Sequence, residues 1–387
     1  MSERRLPYGR QEVSDADVDA VVAALRSELI TQGPTVERFE HAFAEYVGAA
    51  HAVAFSSGTA ALHGAAFAAG VEEGDEVITT PITFAASANC ALYQGARPRF
   101  VDIDPATWNL DVEAAASAVG ERTRAVVAVS YGGLPVELGP LQGDFALIED
   151  GCHALGGHRD GRKVGGPGGA DMTCFSFHPV KAMTTGEGGM VTTEDPDLAH
   201  RLRTFRTHGI TREGMSPGPD DGGWYYEMQT LGFNYRITDL QCALGISQLS
   251  RLDRWVARRN ELAAAYRELL ASEERIGLPP PAAAGSLHGY HLFPVRVRAG
   301  AGARHRAFEA LRAAGVGVQV HYIPIYRLPY YRDELGYPQD ACPQAEALYS
   351  GLISLPMFPA MSDSDVEWVV AELSSALGQA EARSNTQ

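Results

Sequence analysis

The apolar positions of this chain change period several times, and each change marks an element. Near the start, Val18, Val21, Val22, Leu25 and Leu29 recur at helical spacing, and Ser14 with Asp17 has the form of a capping box, so a helix is predicted there. Gly33-Pro34 then punctuates the chain. From about His51 to Thr193, the short β-branched runs HAVAF, EVITT, RFVDI, AVVAVS, FALIED, TCFSF and GMVTT alternate with Ala-rich helical stretches. Strands that are apolar almost throughout, rather than at every second position, predict a sheet buried on both faces, the mark of a mainly parallel sheet in an α/β protein.

After Asp239 a long helical pattern continues through Leu270, and LPPPAAAG reads as a linker. HLFPVRV, a helix near Arg304–Ala314, VGVQV and a closing helix from Ser362 then predict a smaller α/β unit. The expected division is a large domain over residues 1–250, which includes the N-terminal helical segment, and a small C-terminal domain over 251–387. The tail EARSNTQ is expected to fray.

Composition narrows the function. With 387 residues, 45% hydrophobic and 21% charged, the chain is of ordinary globular type. Its 32 Lys+Arg against 48 Asp+Glu leave a net charge of −16, which disfavours nucleic acid and anionic lipid as partners. A small anion remains admissible, because a helix N-terminus can bind phosphate inside an acidic protein. The five cysteines (Cys90, Cys152, Cys174, Cys242, Cys342) are scattered and never form a CxxC pair, so neither a disulfide framework nor a metal site is expected. The N-terminus lacks the apolar core of a leader, and no run approaches the ~20 apolar residues of a membrane span, so the cytoplasm is the expected location.

The chemistry concentrates in TCFSFHPVKAMTTGEGGM, where a strand ends at Phe177 and Lys181 follows in a loop dense in Thr and Gly. A second strand ends in IEDGCHALG, which places Glu149, Asp150 and His153 at its terminus; farther upstream, AFSSGTAALH has the form strand, turn, helix. In a parallel sheet these strand ends are where a ligand binds. Together the pieces meet the needs of pyridoxal-5′-phosphate (PLP) chemistry. The helix start at Ser57, Gly58 and Thr59 offers N–H groups to a phosphate. Asp150 can keep a pyridine nitrogen protonated, Lys181 can hold the cofactor as a Schiff base and then carry a proton, and Phe84 can stack on the ring. Taken singly, each has a plainer reading: SSGT as a simple N-cap, His153 and His178 as hydrogen-bonded structural histidines. The order and spacing of all four pieces favour the functional reading.

With LITQGP, SSGTAALH, GDEVITTPITF, FVDIDP, IEDGCHALGG, FSFHPVKAMTTGEGGM and LGFNYRITDLQCALGISQL in this order, nearly the whole chain resembles the DegT/DnrJ/EryC1/StrS family of sugar aminotransferases. The resemblance implies the aspartate-aminotransferase-like fold (PLP fold type I). It implies that Lys181 bears the cofactor, that Asp150 pairs with the pyridine nitrogen, that His153 lies by the ring hydroxyl and that Phe84 stacks on the ring. Gly58, Thr59 and Ser176 would hold the phosphate, with Asn234 supplied by the partner subunit of a homodimer. The pattern SFHxxKxxTxxEGG is similar to the branch that aminates C4 of the sugar. LPYGRQ, TTPITFAASANCALYQGA and HYIPIYRLPYY are similar to members acting on a UDP-linked 4-keto-6-deoxy-N-acetylhexosamine, with L-glutamate as amino donor. Arg236, His321 and Tyr322 fall in segments that resemble substrate-facing ones, and an arginine suits a diphosphate.

The chain departs from the family at VSYGGLPVE, where Ser130 stands for a histidine and Leu134 for a glutamine; the expected consequence is a local change in packing or sugar contacts. The alternatives are a dTDP-4-keto-6-deoxyhexose substrate and a non-catalytic PLP-binding regulator, the latter disfavoured by the absence of a basic DNA-binding segment. A dinucleotide-binding reading of LGGHRDGRKVGGPGG fails on its glycine spacing, and the run reads better as a surface hairpin.

Overall fold

The computed structural model describes residues 4–384. Helix α1 (Asp15–Leu25) starts at the predicted capping box, where the Ser14 N–H and hydroxyl both donate to Asp17 Oδ2. Its inward face is not the periodic apolar one. Val18, Leu25 and Leu29 are exposed, whereas Asp17 and Ala24 are buried. The cause is an ion pair: Arg251 grips both oxygens of Asp17 at 2.5 and 2.6 Å and so fixes the rotation of the helix.

Helix α2 (Pro34–Val47) leads into the alternation β1 (His51–Phe55), α3 (Gly58–Ala68), β2 (Glu76–Thr79), α4 (Ala86–Tyr93), β3 (Arg97–Phe100), α5 (Val112–Ala118), β4 (Thr123–Val129) and β5 (Ala146–Asp150). The glycine-rich run forms the expected hairpin, β6 (His158–Arg159) and β7 (Arg162–Lys163), followed by β8 (Met172–Ser176), β9 (Gly189–Thr193) and α6 (Pro196–Phe205). One seven-stranded sheet results, in the order β1-β9-β8-β5-β4-β2-β3. Five strands, β3 to β8 in that order, pair in parallel, and β9 runs antiparallel to both of its neighbours. Because β9 reverses direction twice over, β1 points the same way as the parallel strands, and its carboxyl end lies on the same edge as theirs.

The strands are buried on both faces because each face meets its own layer. Along β4, Ala125 and Val127 pack in one apolar cluster with α3, α4 and α6, while Val126 and Ala128 pack in another with α5. This is the two-residue period of a strand resolved into two cores.

A small hairpin, β10 (Ile210–Thr211) and β11 (Glu227–Met228), precedes α7 (Asp239–Leu249) and α8 (Leu252–Leu269). The helical pattern from Asp239 to Leu270 is thus broken at Ser250–Arg251. There the Ser250 hydroxyl donates back to Ser247 O, and the chain passes from one core to the next. The first turns of α8 pack Trp255 and Val256 against the large sheet's outer layer, and its later turns pack Leu262 and Tyr266 in a separate core.

That second core is built on β12 (Ile276–Gly277), β13 (Phe293–Val297), α9 (Ala301–Ala313), β14 (Leu352–Leu355) and α11 (Asp363–Ser384), and Leu6 from the N-terminal segment packs into it, whereas α10 (Pro343–Gly351) packs Ala345 and Leu348 in another cluster with Ile82, Ile103 and Trp108. VGVQV does not extend as a strand. It makes single bridges, Leu6 to Val316 and Gln319 to Ser354, and the third strand of the small sheet is instead LISL of β14. Of the tail expected to fray, residues up to Ser384 continue α11 and the last three lie outside the described residues. No helix among the described residues is long and apolar enough to cross a membrane.

Candidate active site

A cavity of about 510 Å3 opens at the carboxyl edge of the large sheet. Ser57, Gly58 and Thr59 reach it from the end of β1, Thr83 and Phe84 from β2, Val129 from β4, Asp150, Cys152 and His153 from β5, and Ser176, His178 and Lys181 from β8. Its far wall comes from elsewhere in the chain: Tyr8, His291, His321 and Tyr322. The separated segments singled out in the sequence therefore converge on one space.

Lys181 is carried on a tightly tied loop. Its N–H donates to His178 O, the Phe177 and Thr185 N–H groups are bonded to Gly188 O and Phe177 O, and the Thr184 hydroxyl also donates to Phe177 O. Burial pushes the Lys181 amine below the ordinary lysine range, opposed in part by the negative charge of Asp150. A less basic amine is a better nucleophile near neutral pH.

Asp150 is buried at the end of β5. Its Oδ2 accepts a 2.6 Å hydrogen bond from the Ser87 hydroxyl, itself 2.7 Å from Thr83 Oγ1, and its Oδ1 accepts from the Cys152 N–H at 3.1 Å. Bonds of this kind fix the carboxylate's orientation. The neighbouring Glu149 points elsewhere, to Arg159 at 2.9 Å and the Ser130 hydroxyl at 2.5 Å. Ser130 Oγ also accepts from the Val136 N–H, so its hydroxyl is bonded within the protein on both counts.

Ser57 caps α3, its hydroxyl accepting from Ala60 N–H at 3.1 Å. The first turn beyond it presents N–H groups that no residue of the helix itself can accept from. A glycine is required next: a Cβ on Gly58 would lie 2.7 Å from Ser176 Cβ. The close approach of these two residues brings the helix start and the end of β8 together as one cradle.

His153 Nδ1 accepts from Gly132 N–H at 3.2 Å, which leaves Nε2 to donate to Tyr322 Oη at 3.1 Å. Burial, with the nearby Lys181 charge, holds His153 well below the usual histidine range, so the ring is neutral. Tyr322 lies nearly parallel to it at 6.0 Å, and His321 is anchored through Nδ1 to Ser354 Oγ at 2.9 Å. Phe84 stands at the mouth, 60% exposed, with its ring 6.2 Å from Tyr322.

Two predicted residues are not brought into this cavity within one chain. Asn234 is exposed and bridges to Thr207, and Arg236 lines a separate hollow of about 270 Å3 beside Gln32, Glu40 and Arg206. His178 is exposed at the cavity and is tied in through its backbone, its N–H to Ser176 Oγ and its carbonyl to the Lys181 N–H, with no hydrogen bond to its ring found among the described residues. Three residues escaped the sequence reading: Ser87, Tyr8 and His291. Ser87 had a faint signal, since it sits one helical turn after Thr83 in a segment already singled out; Tyr8 lay inside LPYGRQ, and His291 had none. Among the described residues no group of three or more His, Cys, Asp or Glu is placed to hold a metal ion.

Residues 11–374 match the model of the DegT/DnrJ/EryC1/StrS aminotransferase family. The spore coat polysaccharide biosynthesis protein SpsC of Bacillus subtilis is 39% identical over 94% of this chain and 95% of its own. The UDP-4-amino-4,6-dideoxy-N-acetyl-β-L-altrosamine transaminase of Campylobacter jejuni is 35% identical over 96% of this chain and 97% of its own. Among solved structures, Spr1654 of Streptococcus pneumoniae is similar in its PMP form (TM-score 0.91, 27% identity, 99% of this chain and 100% of that one) and in its PLP form (TM-score 0.90, 27% identity, 97% and 100%).

Proposed function

The chain belongs to the DegT/DnrJ/EryC1/StrS aminotransferase family, and from that premise we propose that it transfers the amino group of L-glutamate to C4 of a UDP-linked 4-keto-6-deoxy-N-acetylhexosamine. That it is a sugar aminotransferase working with PLP follows from the family and from the PLP and PMP forms of its structural neighbour. The finer reading rests on one observation above the rest. A depressed lysine and a hydrogen-bonded buried carboxylate face one cavity, in a chain 35% identical to a transaminase named for a UDP-linked 4-amino sugar.

The residues present fit the cofactor. Gly58, Thr59 and Ser176 would hold its phosphate at the start of α3, where the absence of a Cβ at Gly58 leaves room for the approach. Asp150 would hold the pyridine nitrogen, His153 the ring hydroxyl and Phe84 one face of the ring. When bound, PLP supplies an electron sink for the electrons released as a C–H bond beside the amino nitrogen breaks.

The chain's own work is then proton handling and exclusion of water. Lys181 Nζ would hold the cofactor and, once freed by the incoming amine, would take up the proton from the α-carbon of the amino donor and, in the second half-reaction, deliver a proton to C4 of the sugar. Its lowered basicity keeps a fraction of Nζ unprotonated for the first step. Asp150, held by Ser87, keeps the charge opposite the ring nitrogen in a fixed place. Phe84 and Tyr322 cover the mouth, which limits water.

A homodimer completes the site in this reading, with Asn234 and Arg236 serving the partner's cavity. Its support is surface: Trp224, Tyr226, Met228, Leu231 and Phe233, in the segment leading to those two residues, are all exposed apolar side chains.

The test is a pair of half-reactions followed by absorbance. Glutamate should convert the PLP-loaded enzyme to its amino form, and a UDP-4-keto sugar should reverse the change. Borohydride reduction should fix the cofactor on the wild type but not on Lys181→Ala, and loss of proton transfer alone should slow that variant by about 10²–10⁴-fold. Reversal by dTDP-linked sugars alone would replace the proposed nucleotide, and retention of PLP without either half-reaction would favour a regulatory role.

A further inference from the structure

The cavity's histidines differ in what their rings touch. His153 uses both nitrogens within the protein, and His321 uses Nδ1. His291 lines the same cavity with 5% of its surface exposed, its ring 4.5 Å from that of His153. Its Nδ1 is buried without a partner, and among the described residues no hydrogen bond to Nε2 is found either. A buried imidazole left unpaired is costly, and so rare that each case calls for a physical reason.

The ring is also held in place before any ligand arrives. The backbone around it is pinned to the turn after β4, Gly289 N–H to Gly133 O at 2.7 Å and Leu292 N–H to Gly132 O at 3.1 Å. On the other side, the buried Arg259 guanidinium donates to Tyr290 O and His291 O. Burial, with the nearby Lys181 charge, keeps the ring neutral, so one nitrogen is a donor and the other an acceptor. A rigid, desolvated and unsatisfied group at the wall of a cavity is a preformed recognition element.

We infer that His291 is a specificity-determining residue whose neutral imidazole donates a hydrogen bond to a substrate oxygen near the reacting carbon, a carboxylate oxygen of the amino donor or a hydroxyl of the sugar. The inference rests on the aminotransferase function proposed for the same cavity. It separates His291 from His153, whose nitrogens are already committed and which is a positioning group for the cofactor in that reading. The donor is Nε2, which has no hydrogen bond among the described residues and, unlike the buried Nδ1, is not sealed from the cavity, so substrate would give it the partner it lacks.

The experiment compares PLP-loaded wild type, His291→Leu and His291→Gln. L-Glutamate drives one half-reaction, and the keto-sugar nucleotide accepted by the wild type drives the other, each at single turnover. The expected result for His291→Leu is a roughly tenfold weaker apparent affinity in one half-reaction only, with the cofactor's absorbance and affinity unchanged, and partial recovery in His291→Gln, which keeps a donor. A change confined to the glutamate half assigns the carboxylate, and one confined to the sugar half assigns the hydroxyl. The inference is overturned if both halves match the wild type, or if cofactor absorbance and affinity shift with them, since His291 then serves the cofactor or the packing. A wild type inert in both halves would sink the aminotransferase reading itself, and the role of His291 with it.

Discussion

Replacing Gly58 by alanine tests the cradle at its tightest point. An added Cβ would meet Ser176 Cβ at 2.7 Å, its Oγ at 3.1 Å and its Cα at 3.3 Å, against an optimum near ~3.5–4.0 Å for carbon pairs. Relief requires the start of α3 and the end of β8 to part by about 1 Å. Neither side yields easily: Ala60, Ala61, Leu62 and Ala65 of α3 are buried in the large core, and the chain just beyond β8 is tied by the Phe177 N–H bond to Gly188 O. Overpacking of this kind costs about 1–3 kcal/mol in stability. A 1 Å displacement of positioning groups costs up to about a hundredfold in turnover. Titration of the cofactor-free protein with PLP, followed by absorbance, should show Gly58→Ala binding at least tenfold more weakly, roughly 1.4 kcal/mol. Adding Ser176→Gly removes the contacts at 2.7 and 3.1 Å and leaves only the one at 3.3 Å, so the double variant should lose less than the two single losses combined. Wild-type affinity in Gly58→Ala, or additive losses in the double variant, would refute the steric account.

Three further outcomes are expected from other contacts. Ser87→Ala removes the 2.6 Å bond to Asp150 and should lower turnover about tenfold and stability by about 1–3 kcal/mol, read by single-turnover kinetics and urea unfolding; an unchanged rate would show that Asp150 holds its place unaided. Burial alone would push Asp17 up, but its bonds to Arg251 and Ser14 outweigh it and draw the carboxyl from 3.8 to about 2. Such a depressed group stabilises the fold above its unfolded value and loses that contribution as pH falls through its folded one. Asp17→Asn should therefore cost about 2 kcal/mol at pH 7, and the gap to wild type should close between about pH 4 and pH 2 in denaturant titrations; a gap independent of pH would contradict it. Leu231→Asp places a charge on the exposed apolar segment, where Leu231 is 72% exposed, and light scattering should report half the wild-type mass; an unchanged mass would put the subunit contact elsewhere.

The local sequence determined a good deal. The β-branched runs specify strands buried on both faces because a strand's period is short enough to be written in five residues, as in Ala125–Val129. Lys181, Asp150 and Gly58 were legible for a related reason: each lies within a few residues of a strand end, and parallel topology sends those ends to one edge. The capping box announced α1 because capping spans only a few residues.

What the tertiary structure decided spans greater distances in the chain. The hydroxyl that orients Asp150 comes from Ser87 on α4, and the unpaired His291 enters the cavity from beside the small sheet, pinned by Arg259 of α8. The face of α1 was set by Arg251, far along the chain, against the helix's own apolar period. The helical pattern from Asp239 to Leu270 had to break where the chain leaves one core for another. In each case the deciding energy is a contact between layers, and such a contact depends on how the layers pack, which no window of neighbouring residues contains.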